Sequence, residues 1–179
     1  MSKKYIFTES DYISGDGMQT YIWGPPMWHI LHTISFNYPI NPTKEQKKYY
    51  YIFFINLKNI LPCKYCRDNL IMTFSKLPFT YETLKNRENF SKYVYTIHEL
   101  VNENLGKSSN LSYEDVRDRY EHFRSRCINN PYKKNTTESG CTEPLYGLKS
   151  QCVLSIVPKD GRVSSFKIDQ SCIIKKKYK

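Results

Sequence analysis

Apolar residues recur at intervals of three and four through most of residues 25–123, a spacing that commits this stretch to amphipathic helices. Trp28, Leu31, His32 and Ser35 stand at i, i+3, i+4 and i+7 behind Pro25 and Pro26. Proline is tolerated in a first turn, so a first helix is expected to start there and to stop at Tyr38-Pro39. Thr43 and Gln46 form a capping box ahead of the stripe Tyr50, Phe53, Phe54, Leu57 and Ile60, which marks a second helix. A third begins near Pro62 and carries Cys63 and Cys66 in its first turn. After a connection over residues 77–88, a fourth runs from about Phe90 to Leu105 and ends at Gly106. It sets His98, Val101, Asn102 and Leu105 on one face. Ser112 and Asp115 cap a fifth helix, with Val116, Tyr120 and Phe123 expected to face inward.

The texture changes after Cys127. Asn129-Asn130-Pro131 and the stretch Asn135 to Gly140 carry loop signals, and Val153 to Val157 and Val163 to Ile168 flank a turn at Pro158 to Gly161, the pattern of a β-hairpin. The chain therefore divides into a polar N-terminal arm (1–19), a helical domain (20–127) and a cysteine-containing appendage with a basic tail (128–179). The expected fold class is all-α: a four-helix bundle with a short fifth helix and a small irregular C-terminal appendage holding the hairpin. At 179 residues the chain is long enough for one ordinary domain plus such an appendage.

Net charge is +10, part of it in Lys175, Lys176, Lys177 and Lys179, and it reads as a solvated surface with a soluble tail. No nucleic-acid-binding signature accompanies it, so no nucleic-acid partner is expected. No apolar run approaches the roughly 20 residues of a membrane span, and Met1 to Asp11 lacks an apolar signal core. Six cysteines in such a chain suit metal, redox or catalytic use better than a secreted disulfide scaffold.

Pro62-Cys63-Lys64-Tyr65-Cys66 is the strongest local signal. A helix N-terminus offers unpaired N–H groups and partial positive charge, both of which stabilise a thiolate, the reactive form of the side chain. Lys64 and Arg67 add positive charge. The motif alone leaves three readings open: half of a zinc site, a thioredoxin-like redox site, or a redox dithiol inside a helical bundle. Zinc needs a second pair of ligands, and His29, His32, Cys141 and Cys152 are the candidates. The thioredoxin reading needs strands around the motif, and the surroundings are helical.

The wider pattern resembles the Erv/ALR family of flavin-linked sulfhydryl oxidases. Trp23-Gly24-Pro25-Pro26-Met27-Trp28-His29-Ile30-Leu31-His32, Tyr38-Pro39, Pro62-Cys63-Lys64-Tyr65-Cys66 and the run from His98 through Asn102 to Lys107 stand in the family's order and separations. Gly140 to Leu145 with Lys149 to Cys152 is similar to members from large DNA viruses. The resemblance implies a helical bundle that binds FAD non-covalently, with Trp23, Gly24, Trp28, His32, His98, Val101, Asn102, Leu105, Lys107 and Tyr120 lining it. Trp28 with His32 and His98 with Asn102 are expected to form two flat faces between which a ring system can lie. It implies that Cys66 is the thiol nearer the flavin and Cys63 the sulfur that exchanges with protein thiols, the electrons passing on to O2 to give H2O2. It implies a homodimer, expected to form through the first two helices, because the second-helix stripe and the Trp28 helix together offer more apolar surface than one small bundle needs. No resident metal is implied. A viral member would work in the host cytoplasm or the virion.

The sequence also departs from the family. A disulfide that links the fourth helix to the loop before the fifth in many members has no counterpart, because Tyr95 and Ser112 or Tyr113 stand at those places. Glu99 follows His98 where the family has Asn. Cys127, Cys141, Cys152 and Cys172 remain, with Cys141 and Cys152 as candidates for a shuttle disulfide and stapling of the appendage as the alternative.

Overall fold

The computed structural model describes residues 7–127, 141–159 and 166–173. Its helices are α1 (Glu9–Ile13), α2 (Thr20–Phe36), α3 (Lys44–Ile60), α4 (Lys64–Lys76), α5 (Arg87–Asn104) and α6 (Tyr113–Glu121), followed by strands β1 (Ser125–Cys127) and β2 (Cys141–Pro144) and a 3-10 turn at Gln170–Cys172. The class is that expected: α2 to α5 form the bundle and α6 is the short fifth member. Capping boxes at Thr43/Gln46 and Ser112/Asp115 start α3 and α6 where the sequence places them.

Three local readings change. The arm contains α1, one turn capped by Thr8 and Asp11, which is too short to show a periodicity. Helix α2 starts at Thr20, five residues ahead of Pro25, so both prolines lie inside it. Their missing N–H groups release the carbonyls of Tyr21 and Ile22, and both of those residues lie at the surface where water can pair them. In the appendage, residues 153–157 form no strand. Their apolar residues do not alternate, and Val153, Leu154 and Ile156 are exposed, so there is no face to bury. Of the other expected strand, residues 163–165 lie outside the described residues and 166–168 form no strand. The strands that do form are β1 and β2, antiparallel, with Arg126 opposite Glu143 and Cys127 opposite Cys141.

The bundle core is largely aromatic. Tyr38 is fully buried, meets Tyr50 and Phe90 edge-on and donates its hydroxyl to the carbonyl of Leu84 (2.9 Å). Leu31, Phe54, Leu57, Leu70, Phe79, Leu84, Phe90, Tyr93, Val94 and Ile97 complete it. A second cluster, Phe36, Val116 and Tyr120, fixes α6 against α2. Phe123 does not face inward as expected; it lies beyond the end of α6 at the surface. Hydrogen bonds join α5 to α6 and its leading loop: Tyr95 donates to the Leu111 carbonyl (2.7 Å), and Ser91 Oγ lies 2.8 Å from the Tyr113 hydroxyl.

Candidate redox and cofactor site

Cys63 is the N-cap of α4, and its Sγ accepts from the Cys66 backbone N–H (3.3 Å). The arm lies across it. Met18 N–H donates to the Pro62 carbonyl (2.7 Å) and Lys64 N–H to the Asp16 carbonyl (3.1 Å), making a bridge between Gly17 and Cys63. Arg67 Nη1 donates to the Leu61 carbonyl (2.7 Å), which fixes the turn from below. On the other side, Thr20 Oγ1 stands 3.5 Å from Cys66 Sγ.

The two thiols are therefore unequal. Burial pushes Cys63 up, but hydrogen bonds from Cys66, Thr20 and the backbone of Cys66 and Tyr65 outweigh it and leave the thiol below its ordinary value. Burial pushes Cys66 up, and the Cys63 thiolate it faces pushes in the same direction. Of the two sulfurs, Cys63 is the readier to carry negative charge.

Thr20, Gly24, Trp28 and His32 recur every fourth residue along α2, so one stripe leads from Cys66 Sγ to the far end of the bundle. Gly24 is buried, and its absent side chain leaves room between the sulfur and the rings beyond. There Trp28 stacks on His98, with centroids 4.0 Å apart and planes at 9°. His32 Nε2 and His98 Nδ1 are 2.9 Å apart. Tyr120 stacks on His32 and Phe36, and its hydroxyl is 3.3 Å from His29 Nδ1. Burial, then the charge that His98 and His29 would carry, lowers His32 to about 3, and burial lowers His98 to about 4, so both rings are neutral.

His32 Nδ1 is buried without a hydrogen-bond partner. An orphaned N–H is rarer in folded proteins than an orphaned acceptor, which favours Nε2–H of His32 as the donor to His98 and leaves Nδ1 a bare acceptor. A polar heterocycle seated among these rings would supply the missing donor, so the residues fit a flavin nucleotide.

Structure brings Gly24, Trp28, His32, His98 and Tyr120 together. Val101 and Asn102 are half-buried one turn on from His98, with Asn102 Nδ2 donating to Glu99 Oε1 (3.0 Å). Lys107 Nζ lies over the Tyr21 ring (4.6 Å), so the end of α5 meets the start of α2. Trp23 turns back to the arm, donating Nε1–H to the Met18 carbonyl (3.1 Å), and Leu105 is exposed at the C-cap rather than sharing the His98 face. Sequence reasoning missed Thr20, Tyr21, Lys159 (Nζ 5.0 Å from the Tyr21 ring) and Phe166, and weighed His29, whose ring meets Phe166 at 5.3 Å, only as a zinc ligand. The four-residue spacing of Thr20 from Gly24 was the one available signal. Cys152 is exposed. A cleft of about 590 Å³ beside Arg87 and Tyr113 borders the end of this stripe at Phe36, and one of about 290 Å³ lies beside Phe74. Among the described residues no three His, Cys, Asp or Glu side chains gather as metal ligands.

The sequence profile described as the Erv1 / Alr family matches residues 25–136. A probable FAD-linked sulfhydryl oxidase of Acanthamoeba polyphaga mimivirus is 42% identical over 94 residues, which cover 52% of this chain and 65% of that protein. The chain thus spans just under two thirds of that relative. An FAD-linked sulfhydryl oxidase of African swine fever virus (isolate Pig/Kenya/KEN-50/1950) is 29% identical over 99 residues, 55% of this chain and 80% of that protein. The fold is similar to that of the yeast Erv1 core in its crystal structure, with a TM-score of 0.52 and 21% identity over 67% of this chain and 94% of that one.

Proposed function

We propose, on the premise that this chain belongs to the Erv1 / Alr family, whose profile covers residues 25–136, that it is an FAD-dependent thiol oxidase forming disulfides in proteins. The observation that carries this reading is the stripe along α2, which leads from the Cys66 sulfur through Thr20 and buried Gly24 to the stacked rings of Trp28 and His98. It links the dithiol at the start of α4 to the rings that α2 gathers with α5, which supports the reading.

Gly24, Trp28 and His32 of α2, His98, Val101 and Asn102 of α5, and Tyr120 of α6 would hold the ring systems, with Trp23 at their edge and Lys107 available for phosphate. Bound flavin supplies a two-electron acceptor and the route onward to O2, giving H2O2. The protein's part is thiol exchange. A substrate thiolate bonds to Cys63 Sγ, the Cys63–Cys66 bond breaks, and Cys66 leaves as thiolate. The second substrate thiolate then displaces Cys63, releasing the substrate disulfide and the reduced pair. The depressed Cys63 thiol makes it the better leaving group in that second step. Cys141 and Cys152 are proposed as the relay from protein substrates, and a second copy of the chain as the partner. Viral relatives support work in the host cytoplasm or virion. Among the described residues no helix is long and apolar enough to cross a membrane.

The test is the native absorbance spectrum with thiol-dependent oxygen uptake. Flavin bands at about one FAD per chain are expected, and Cys63→Ser and Cys66→Ser should each abolish uptake while keeping the bands. Colourless protein carrying stoichiometric zinc, or full uptake in either variant, would overturn the reading.

A further inference from the structure

Residues 16–20 do more than precede the first bundle helix. Asp16, Gly17 and Met18 run antiparallel to Pro62, Cys63 and Lys64, held by the Met18 to Pro62 and Lys64 to Asp16 hydrogen bonds. The approach is so close that only glycine fits at the crossing. Gly17 has φ +104°, and a Cβ there would sit 2.5 Å from the Pro62 carbonyl oxygen and 2.9 Å from Cys63 Cα. Trp23 anchors the strap from behind through its bond to the Met18 carbonyl. Two residues past that contact, the Thr20 hydroxyl is delivered to Cys66 Sγ at 3.5 Å.

We propose that Thr20 is a catalytic residue of the thiol exchange, its hydroxyl donating to Cys66 Sγ as that sulfur takes negative charge, and that the Gly17 strap is the device that positions it. This rests on Cys63 and Cys66 being the redox pair. When substrate sulfur bonds to Cys63, the pair of electrons in the broken S–S bond goes to Cys66, which is otherwise a poor place for charge. Cys66 is half-buried, and burial pushes its thiol up. The nearest hydroxyl donor is Thr20, and it works against that burial. The hydroxyl has no capping duty, since the N-cap of α2 is Gln19.

The test reads the sulfur itself. In a Cys63→Ser background, the pH dependence of iodoacetamide labelling of the Cys66 peptide, followed by mass, reports its thiolate. Adding Thr20→Val, which keeps the shape and removes the donor, should move the labelling midpoint to higher pH, and Thr20→Ser should restore it. In the otherwise unaltered oxidised protein, Thr20→Val should slow opening of the disulfide by a small thiol roughly three- to ten-fold. Gly17→Ala, by forcing the strap away, should reproduce both effects with the hydroxyl still present. Unchanged midpoint and exchange rate in Thr20→Val and in Gly17→Ala, with native circular dichroism, would overturn the proposal. Failure of the redox-pair reading looks different: Cys66→Ser would then still turn over.

Discussion

His32 and His98 share one hydrogen bond between their rings, and that arrangement cannot hold with both rings protonated. Protonating both would set two N–H groups face to face in a buried cluster. Their folded values, about 3 and about 4, lie below the 6.5 of an exposed imidazole. Between about pH 4 and 6.5 the unfolded chain therefore binds more protons than the folded one, so acid favours unfolding. Stability should be flat above pH 6.5 and fall by up to about 1.4 kcal/mol per histidine for each pH unit below it. Urea melts from pH 7.5 to 4.5 measure this, and His98→Gln should flatten the slope; equal slopes in both proteins would refute the assignment. Sequence legibility at this scale follows distance along the chain. Trp28 and His32 share a stripe that spacing alone reveals. Contacts such as Thr20 with Cys66, 46 residues apart, or His29 with Tyr120, 91 apart, depend on which helices pack together.

Helix α5 is tied to α6 and its approach by tyrosine hydroxyls. Tyr95 reaches the Leu111 carbonyl, Tyr113 meets Ser91, and the two rings meet edge-on at 70°. Removing the Tyr95 hydroxyl leaves a half-buried carbonyl unpaired at no cost in packing. Tyr95→Phe should therefore destabilise by about 1 to 2 kcal/mol, and Tyr113→Phe by a similar amount. The double variant should fall short of their sum, because the rings touch. Chemical denaturation of the four proteins checks both statements; a neutral Tyr95→Phe would mean the carbonyl finds water. The elements themselves were well signalled where the signal is local: side-chain caps at Thr43 and Ser112, and the left-handed Gly106 after α5. The start of α2 was misjudged because Pro25 and Pro26 punctuate a sequence even where the helix runs through them. Residues 153–157 form no strand because a β-rich composition without strict alternation gives a strand nothing to bury.

Assembly is the least legible level, because it depends on which part of an apolar stripe the fold keeps for itself. The sequence offers Tyr50, Phe53, Phe54, Leu57 and Ile60 as surplus. The structure takes Phe54 and Leu57 into its own core and packs Tyr50 against Tyr38. What remains outward on α3 is a neighbouring strip, Tyr49, Ile52, Phe53 and Ile60, exposed by 59, 46, 40 and 65%. These stand at i, i+3, i+4 and i+11, on one face, and only Asn56 interrupts them. Single exposed apolar residues are ordinary, but a contiguous helical strip of this kind usually has a partner. A second copy of the chain presents the same strip, and a two-fold axis lets α3 pack on α3 without any further specialised surface. Light scattering at micromolar concentration should return twice the chain mass. Ile52→Glu with Phe53→Glu should return the monomer, since two buried carboxylates in each half-interface would go unpaired. Neither residue belongs to the core clusters or to the stripe along α2, so the monomer should remain folded by circular dichroism. A wild-type monomer would remove the proposal. A dimer that survives both substitutions would move the interface to the other exposed apolar positions, Ile22 and Ile30 on α2.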